Sequence, residues 1–242
     1  VVSRPFLLLS SRPQPEVVAN EHASVAHYLG VDLGDVVQIK MEQAPFLPLD
    51  LDDYTAVVLG GSPYNASDPV KDDVQLRVEA ELRDLLTDVV RRDFPFLGLC
   101  YGVGVLADLL GGTLDDSYAE IVGPVVVEVT DAGRDDQLLA GGPATFTAFT
   151  GHKECCPQPP AGTVLLASSP TCPVQMFRVG ANVYATQFHP ELDSVGLATR
   201  ILAYRNHGYF PPEAADALIE QAQQVDAAGA HRILRRFREL FG

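Results

Sequence analysis

Short apolar runs recur along the 242 residues, each closed by Gly, Pro, Asp or Asn. They are FLLL (6–9), YTAVVLGG (54–61), FPFLGL (94–99), VGPVVVEVT (122–130), TFTAFT (145–150), TVLLASS (163–169), VQMFRV (174–179) and NVYATQF (182–188). Their length and β-branched content predict strands, several buried on both faces. Between the second and third run, Val74, Val78, Leu82, Leu85 and Val89 recur at steps of three and four, which places one apolar stripe on a helix. Asp68, Pro69, Asp72 and Asp73 suit its start, and Arg91 and Arg92 suit its end. Strand, helix, strand in that order implies a right-handed crossover and a parallel sheet. From Glu120 to Phe188 strands follow one another without long helices, so the sheet is expected to continue antiparallel. Three helical patterns then close the chain at 193–206, 211–226 and 230–241, the last with Ile233, Leu234, Phe237, Leu240 and Phe241 on one face. They are expected to pack on the sheet or its edge.

Composition narrows the partners. Lys and Arg number 17 against 32 Asp and Glu, a formal charge of −15, which disfavours nucleic acid and anionic membrane surfaces. Residues 225–242 reverse the sign, with Arg232, Arg235, Arg236 and Arg238 against Asp226 and Glu239. Arginines there complement a helix C-terminus. The N-terminal apolar run, Phe6 to Leu9, is too short for a signal peptide or a membrane span and reads as a first buried strand. Of the four cysteines, Cys155, Cys156 and Cys172 show neither zinc-site spacing nor a disulfide framework and read as small buried or loop residues. A reducing, cytoplasmic setting follows, with no metal and no cofactor expected.

Cys100 is different. It stands between Gly98 and Gly102, where the run FPFLGL gives way to the helical pattern GVGVLADLL. Strand, tight turn and helix around Gly-x-Cys-x-Gly is the layout of a nucleophile elbow with sulfur in place of hydroxyl. Both glycines are expected to relieve crowding, and the helix N-terminus is expected to lower the thiol pKa. A nucleophilic thiol needs a base. His22, His27, His207 and His231 lie in helical or loop contexts without supporting neighbours and read mainly as surface residues. His189 ends a strand and precedes Pro190, which favours an extended backbone, so that His189 and Glu191 project to the same side. A carboxylate placed there can fix the imidazole tautomer. The loop at Gly60 and Gly61 ends a parallel strand at the same sheet edge; a glycine N–H there and the N–H of Tyr101 are the natural oxyanion donors.

The ordered set GLCYG, GGSPYN, TGHKE and YATQFHPELD resembles the class I glutamine amidotransferases, and most of all the glutaminase domain of GMP synthases. The resemblance implies a flavodoxin-like three-layer αβα fold with a mixed, mainly parallel central sheet and C-terminal helices. It also implies an amidotransferase-like domain over 1–208 and a helical extension over 209–242. By the same likeness, Cys100 would attack the glutamine side-chain amide and His189, oriented by Glu191, would move the proton. Gly61 and Tyr101 would hold the oxyanion, and Gly60, Gly151, His152 and Lys153 would line the glutamine pocket. The family's G-x-C-x-G-x-Q motif ends here in Gly104, and the serine and aspartate of its S-H-x-D loop are Gly151 and Glu154. Neither a G-x-x-x-x-G-K-[ST] nor an S-G-G-x-D-S loop is found, so any ammonia acceptor is expected on a synthetase partner chain. A γ-glutamyl hydrolase acting on γ-glutamyl amines or peptides is the second reading, and a non-catalytic regulatory protein of the same fold the third.

Overall fold

The computed structural model describes residues 4–206, 208 and 210–242. Its nine described strands form one sheet in the order β2-β1-β3-β4-β9-β8-β7-β5-β6. The parallel half comprises β1 (Phe6–Ser10), β2 (Val36–Lys40), β3 (Val57–Leu59), β4 (Phe96–Leu99) and β9 (Val183–Thr186). The antiparallel half comprises β5 (Glu120–Val129), β6 (Thr145–His152), β7 (Val164–Ser168) and β8 (Met176–Val179), and β8 pairs with β9. β9 is therefore the rung between the two halves.

Alternation along the parallel strands divides the core into two layers. Phe6, Leu8, Val58, Leu97 and Leu99 face one side, against Val25 and Leu29 of α1 (Pro15–Leu29) and residues of the C-terminal helix. Leu7, Leu9, Val57, Leu59 and Phe96 face the other, against α2 (Asp73–Arg92) and α3 (Tyr101–Leu109). The expected stripe on α2 is buried from Val78 onward, while Val74 in the first turn is 37% exposed. Asp72 caps that helix by accepting from the N–H of Gln75, as its position suggested.

α1 and β2 are two elements that the apolar pattern does not announce. The buried face of α1 includes Glu21 and Ser24 among its valines, which breaks the stripe, and β2 is an edge strand with only Val36 buried.

After the one-turn α4 (Asp131–Arg134) and the antiparallel strands come α5 (Ser194–Ala203), α6 (Ala215–Ala222) and α7 (Ala228–Phe241). Leu197 and Ile201 of α5, Ala215 and Ala222 of α6, and Phe149 of β6 form a third apolar cluster. α7 packs on α1 and β6, and Ile233, Leu234 and Phe237 are buried. Two of its arginines are tied down: Arg232 donates to the carbonyls of Leu139 and Ala140, and Arg236 to that of Gln137. Cys155, Cys156 and Cys172 are buried free thiols. No helix among the described residues is long and apolar enough to cross a membrane.

Phe237 is fully buried between α1 and the sheet. Its replacement by alanine should destabilise the fold by about 3–5 kcal/mol. In urea unfolding this reads as a lower midpoint with an unchanged slope; a midpoint within error of the parent would show that α7 contributes little.

Candidate active site

Cys100 follows β4 directly and precedes the first residue of α3. Its backbone has φ 54° and ψ −84°, a region that L-residues rarely occupy. Two anchors hold it there. The Cys100 N–H donates to the carbonyl of Thr186 at the end of β9 (2.7 Å), and its own carbonyl accepts from Val103. Gly98 is required by the same turn, since a Cβ there would stand 2.8 Å from the Gly102 Cα. Gly102 differs from the sequence expectation. A Cβ on it would meet only Leu59 at 3.9 Å, so its backbone, rather than the space beside its own missing side chain, is what Gly98 accommodates.

His189 lies three residues beyond the end of β9, and its N–H donates to the carbonyl of Phe149 on β6 (2.8 Å). Its Nδ1 is 2.7 Å from Glu191 Oε1, so the two side chains do project to one side. Both are buried. Cys100 and His189 border the same cavity.

Around this pair runs a network with no local sequence signature. Glu21 of α1 accepts from Arg12 (3.2 Å) and from Ser10 (2.7 Å). Arg200 of α5 reaches Glu191 (2.8 Å), Glu21 (3.6 Å) and the Nδ1 of His189 (2.9 Å). All four charged side chains are buried. Glu191 and Arg200 both address Nδ1: a protonated Nδ1 donates to Glu191 and leaves the Nε2 lone pair for a thiol, whereas an unprotonated Nδ1 accepts from Arg200.

The charges set the protonation states. Burial is the largest influence on His189 and, with Arg200 and Arg12 beside it, lowers its pKa to about 4 despite Glu191. Burial opposes the charge of Glu191, but His189 and Arg200 hold it well below the usual carboxylate range. The Cys100 thiol is also governed by burial, which pushes it up to about 11 against the pull of Arg12 and Arg200. This overturns the expectation of a thiol lowered by its helix. Desolvation outweighs the favourable charges, so at neutral pH the resting pair is a neutral thiol beside a neutral imidazole.

Residues expected to line a pocket are distributed unevenly. Gly151, His152 and Lys153 border a polar cavity beside Cys100, together with Tyr64, Asn65, Tyr101, Glu154 and Gln187. The His152 ring is already engaged, with Nε2 2.8 Å from Glu120 and Nδ1 2.8 Å from the Glu154 carbonyl. Gly61 lies against His189 and Arg12: a Cβ there would stand 2.9 Å from the His189 Cε1 and 2.5 Å from an Arg12 nitrogen. Gly60 gives its N–H to the Leu9 carbonyl, and a Cβ on it would meet the Glu21 carboxylate at 2.6 Å, so its place is in the sheet and the ion network. Tyr101 begins α3 with its side chain buried. Among the described residues no group of three or more His, Cys, Asp or Glu is arranged to hold a metal ion.

The remaining histidines are less bare than their contexts suggested. His22 bonds the Val36 carbonyl (2.8 Å), and His231 stacks on Tyr28 while its Nδ1 meets the carbonyl of Pro190, between His189 and Glu191. His27 is exposed, and His207 lies outside the described residues.

Gly104 has a specific partner. A Cβ at this position would collide with Glu154 Oε1, whose carboxylate accepts from the N–H groups of Ala66 and Ser67. Burial raises the Glu154 pKa despite those bonds. Sequence reading noted both departures but not that they touch.

Two measurements follow. Iodoacetamide labelling of Cys100, followed by mass spectrometry, should rise steeply above pH 9; a plateau near pH 7 would mean a preformed thiolate. Gly104→Gln alone should destabilise by about 1–3 kcal/mol through overpacking, and Glu154→Asp in the same chain should recover part of that loss. Additive effects in chemical denaturation would show that the two positions are independent.

Comparison with known proteins agrees with this architecture. Residues 21–209 match the family described as glutamine amidotransferase class-I. A glutamine-hydrolyzing GMP synthase of Aeropyrum pernix is 38% identical over 98 residues, 40% of this chain and 19% of that protein. A protein of Sulfurisphaera tokodaii, named as one subunit of a glutamine-hydrolyzing GMP synthase, is 29% identical over 143 residues, 59% of this chain and 70% of that one. Most of the curated relatives are far longer: the chain covers 28% of the Marinobacter nauticus GMP synthase and 32% of that of Thermomicrobium roseum. Among solved structures, a glutamine amidotransferase from Thermotoga maritima superposes with TM-score 0.81 at 19% identity, covering 100% of this chain and 99% of that one. A putative GMP synthase subunit from Thermoplasma acidophilum gives 0.65 at 22% identity, over 99% and 94% of the two chains. With an elbow cysteine, a histidine–glutamate pair at the neighbouring strand end and a family match over most of its length, this chain belongs to the class I glutamine amidotransferases.

Proposed function

We propose that the chain hydrolyses the side-chain amide of glutamine, or a closely related γ-glutamyl amide, through a thioester on Cys100. The observation that carries this reading is that Cys100, at a strained strand–helix turn, and His189, bonded through Nδ1 to Glu191, border one cavity. The thiol proton passes to His189 Nε2 as sulfur bonds the carbonyl carbon. The N–H groups of Gly61 and Tyr101 receive the oxyanion. As the C–N bond breaks, the imidazolium gives the proton to the departing nitrogen. Water then attacks the thioester while His189 takes one of its protons, and the imidazolium returns that proton to sulfur, releasing glutamate. Glu191 keeps the imidazole in the competent tautomer throughout.

The polar cavity supports the acyl side of this reading. Gln187 Oε1 is buried without a hydrogen-bond partner among the described residues, beside Cys100 and Lys153. Such an acceptor suits a substrate N–H. With glutamine as substrate, the liberated ammonia passes to an acceptor on a synthetase partner chain; the Sulfurisphaera tokodaii relative is named as one subunit of a glutamine-hydrolyzing GMP synthase.

Glutamate release from glutamine should be abolished in Cys100→Ala, with a loss of about 10⁴-fold or more. Activity surviving that substitution removes Cys100 from the chemistry. The acidic limb of kcat/KM should lie near pH 4, because His189 remains a neutral base down to that point, and Arg200→Gln should move the limb upward by removing a neighbouring positive charge. A limb fixed at 6.5 in both proteins would contradict the buried imidazole.

A further inference from the structure

Two cavities meet at Cys100, and they differ in kind. Both include Ser62, Cys100 and Gly151. One carries the polar and charged groups described above. The other is walled mainly by Val122, Leu192, Leu197, Ile201 and Phe210 and opens to solvent. His189 borders only the apolar one.

Acyl transfer assigns the two spaces. The carbonyl carbon attacked by sulfur carries the acyl chain on one side and the leaving nitrogen on the other. That nitrogen must come within hydrogen-bond reach of the imidazolium that protonates it. It therefore enters the cavity that His189 borders, and the acyl chain, with its charged amino and carboxylate groups, takes the polar one. Ammonia needs almost none of the apolar space. Arg12 and Arg200 also border that cavity, but Glu21 and Glu191 already neutralise them, so among the described residues the wall holds no unmatched cation for a carboxylate on the leaving group.

We infer that this cavity is a leaving-group pocket, and that the preferred substrates are γ-glutamyl amides whose nitrogen bears an apolar alkyl or aryl group. The inference rests on the thioester reading above and deepens it. Hydrolysis converts the γ-glutamyl amide and water into glutamate and a free apolar amine, with the same proton path through His189. Leu197 and Ile201, one turn apart on α5, are the specificity-determining residues.

The test is glutamate release by the full chain from glutamine, γ-glutamylethylamide, γ-glutamylbutylamide and γ-glutamyl-4-aminobutyrate, each with Cys100→Ala as control. Burial of each added methylene should raise kcat/KM by about fourfold from ethyl to butyl. The carboxylate-bearing amide should fall below the butylamide. Leu197→Gln should lower the butylamide-to-glutamine ratio about tenfold; the wild-type series decides the matter if that variant does not fold. Cys100-dependent release from glutamine with none from the butylamide overturns the pocket and leaves the thioester chemistry standing. Preference for the carboxylate-bearing amide also overturns it, by showing that the arginines accept an anion. No Cys100-dependent release from any of the four overturns both readings.

Discussion

Four buried charges, Arg12, Glu21, Arg200 and Glu191, are matched two against two, and the imidazole of His189 hangs on one end of that chain. Deleting one partner from such a set strands a charge in a place water does not reach, at a cost of about 3–5 kcal/mol. The network therefore couples fold and site. It joins the loop after β1, helix α1, the segment after β9 and helix α5; burial, with Arg200 and Arg12, lowers the basicity of His189 against the pull of Glu191, while His189 and Arg200 keep Glu191 ionised. Gly60 is drawn into it as well, because only a residue without a side chain leaves room for the Glu21 carboxylate.

What the chain spelled out locally was legible. The apolar runs marked eight of the nine described strands, the stripe on α2 is buried from Val78 onward and the face of α7 from Ile233 to Phe237, with Leu240 and Phe241 partly buried, and the motif around Cys100 placed the turn. The pair His189 and Glu191 could be read because two residues suffice to define it. Relations between distant segments could not. Arg12, Glu21 and Arg200 carry no motif, and they gain their meaning only when α1 and α5 close over the sheet edge. The same burial that hides them misled the expectation for Cys100: a helix start argues for a lowered thiol, but the degree of desolvation depends on what covers the turn. α1 was obscured for a related reason, since its inward face carries the very glutamate that the network requires.

The two family departures read differently once their geometry is known. Gly104 and Glu154 are in contact, the longer acid filling the space that a side chain at 104 would occupy. Its carboxylate is tied to the backbone of the 66–67 loop, so the polar cavity keeps a wall at this point, built from the opposite side. The cavity's chemistry is thus altered while its closure is retained.

A single ladder step ties Cys100 to the strand that leads to His189. Leu99 of β4 pairs with Thr186 of β9, and the Cys100 N–H completes the ladder on the Thr186 carbonyl, so Cys100 and His189 extend from adjacent strands like marks on a ruler. The walls that would meet a substrate come instead from α5 and from loops off the sheet. Those walls can be resculpted without recalibrating the ruler, so the lining of the cavities can drift while the two strand ends stay in register.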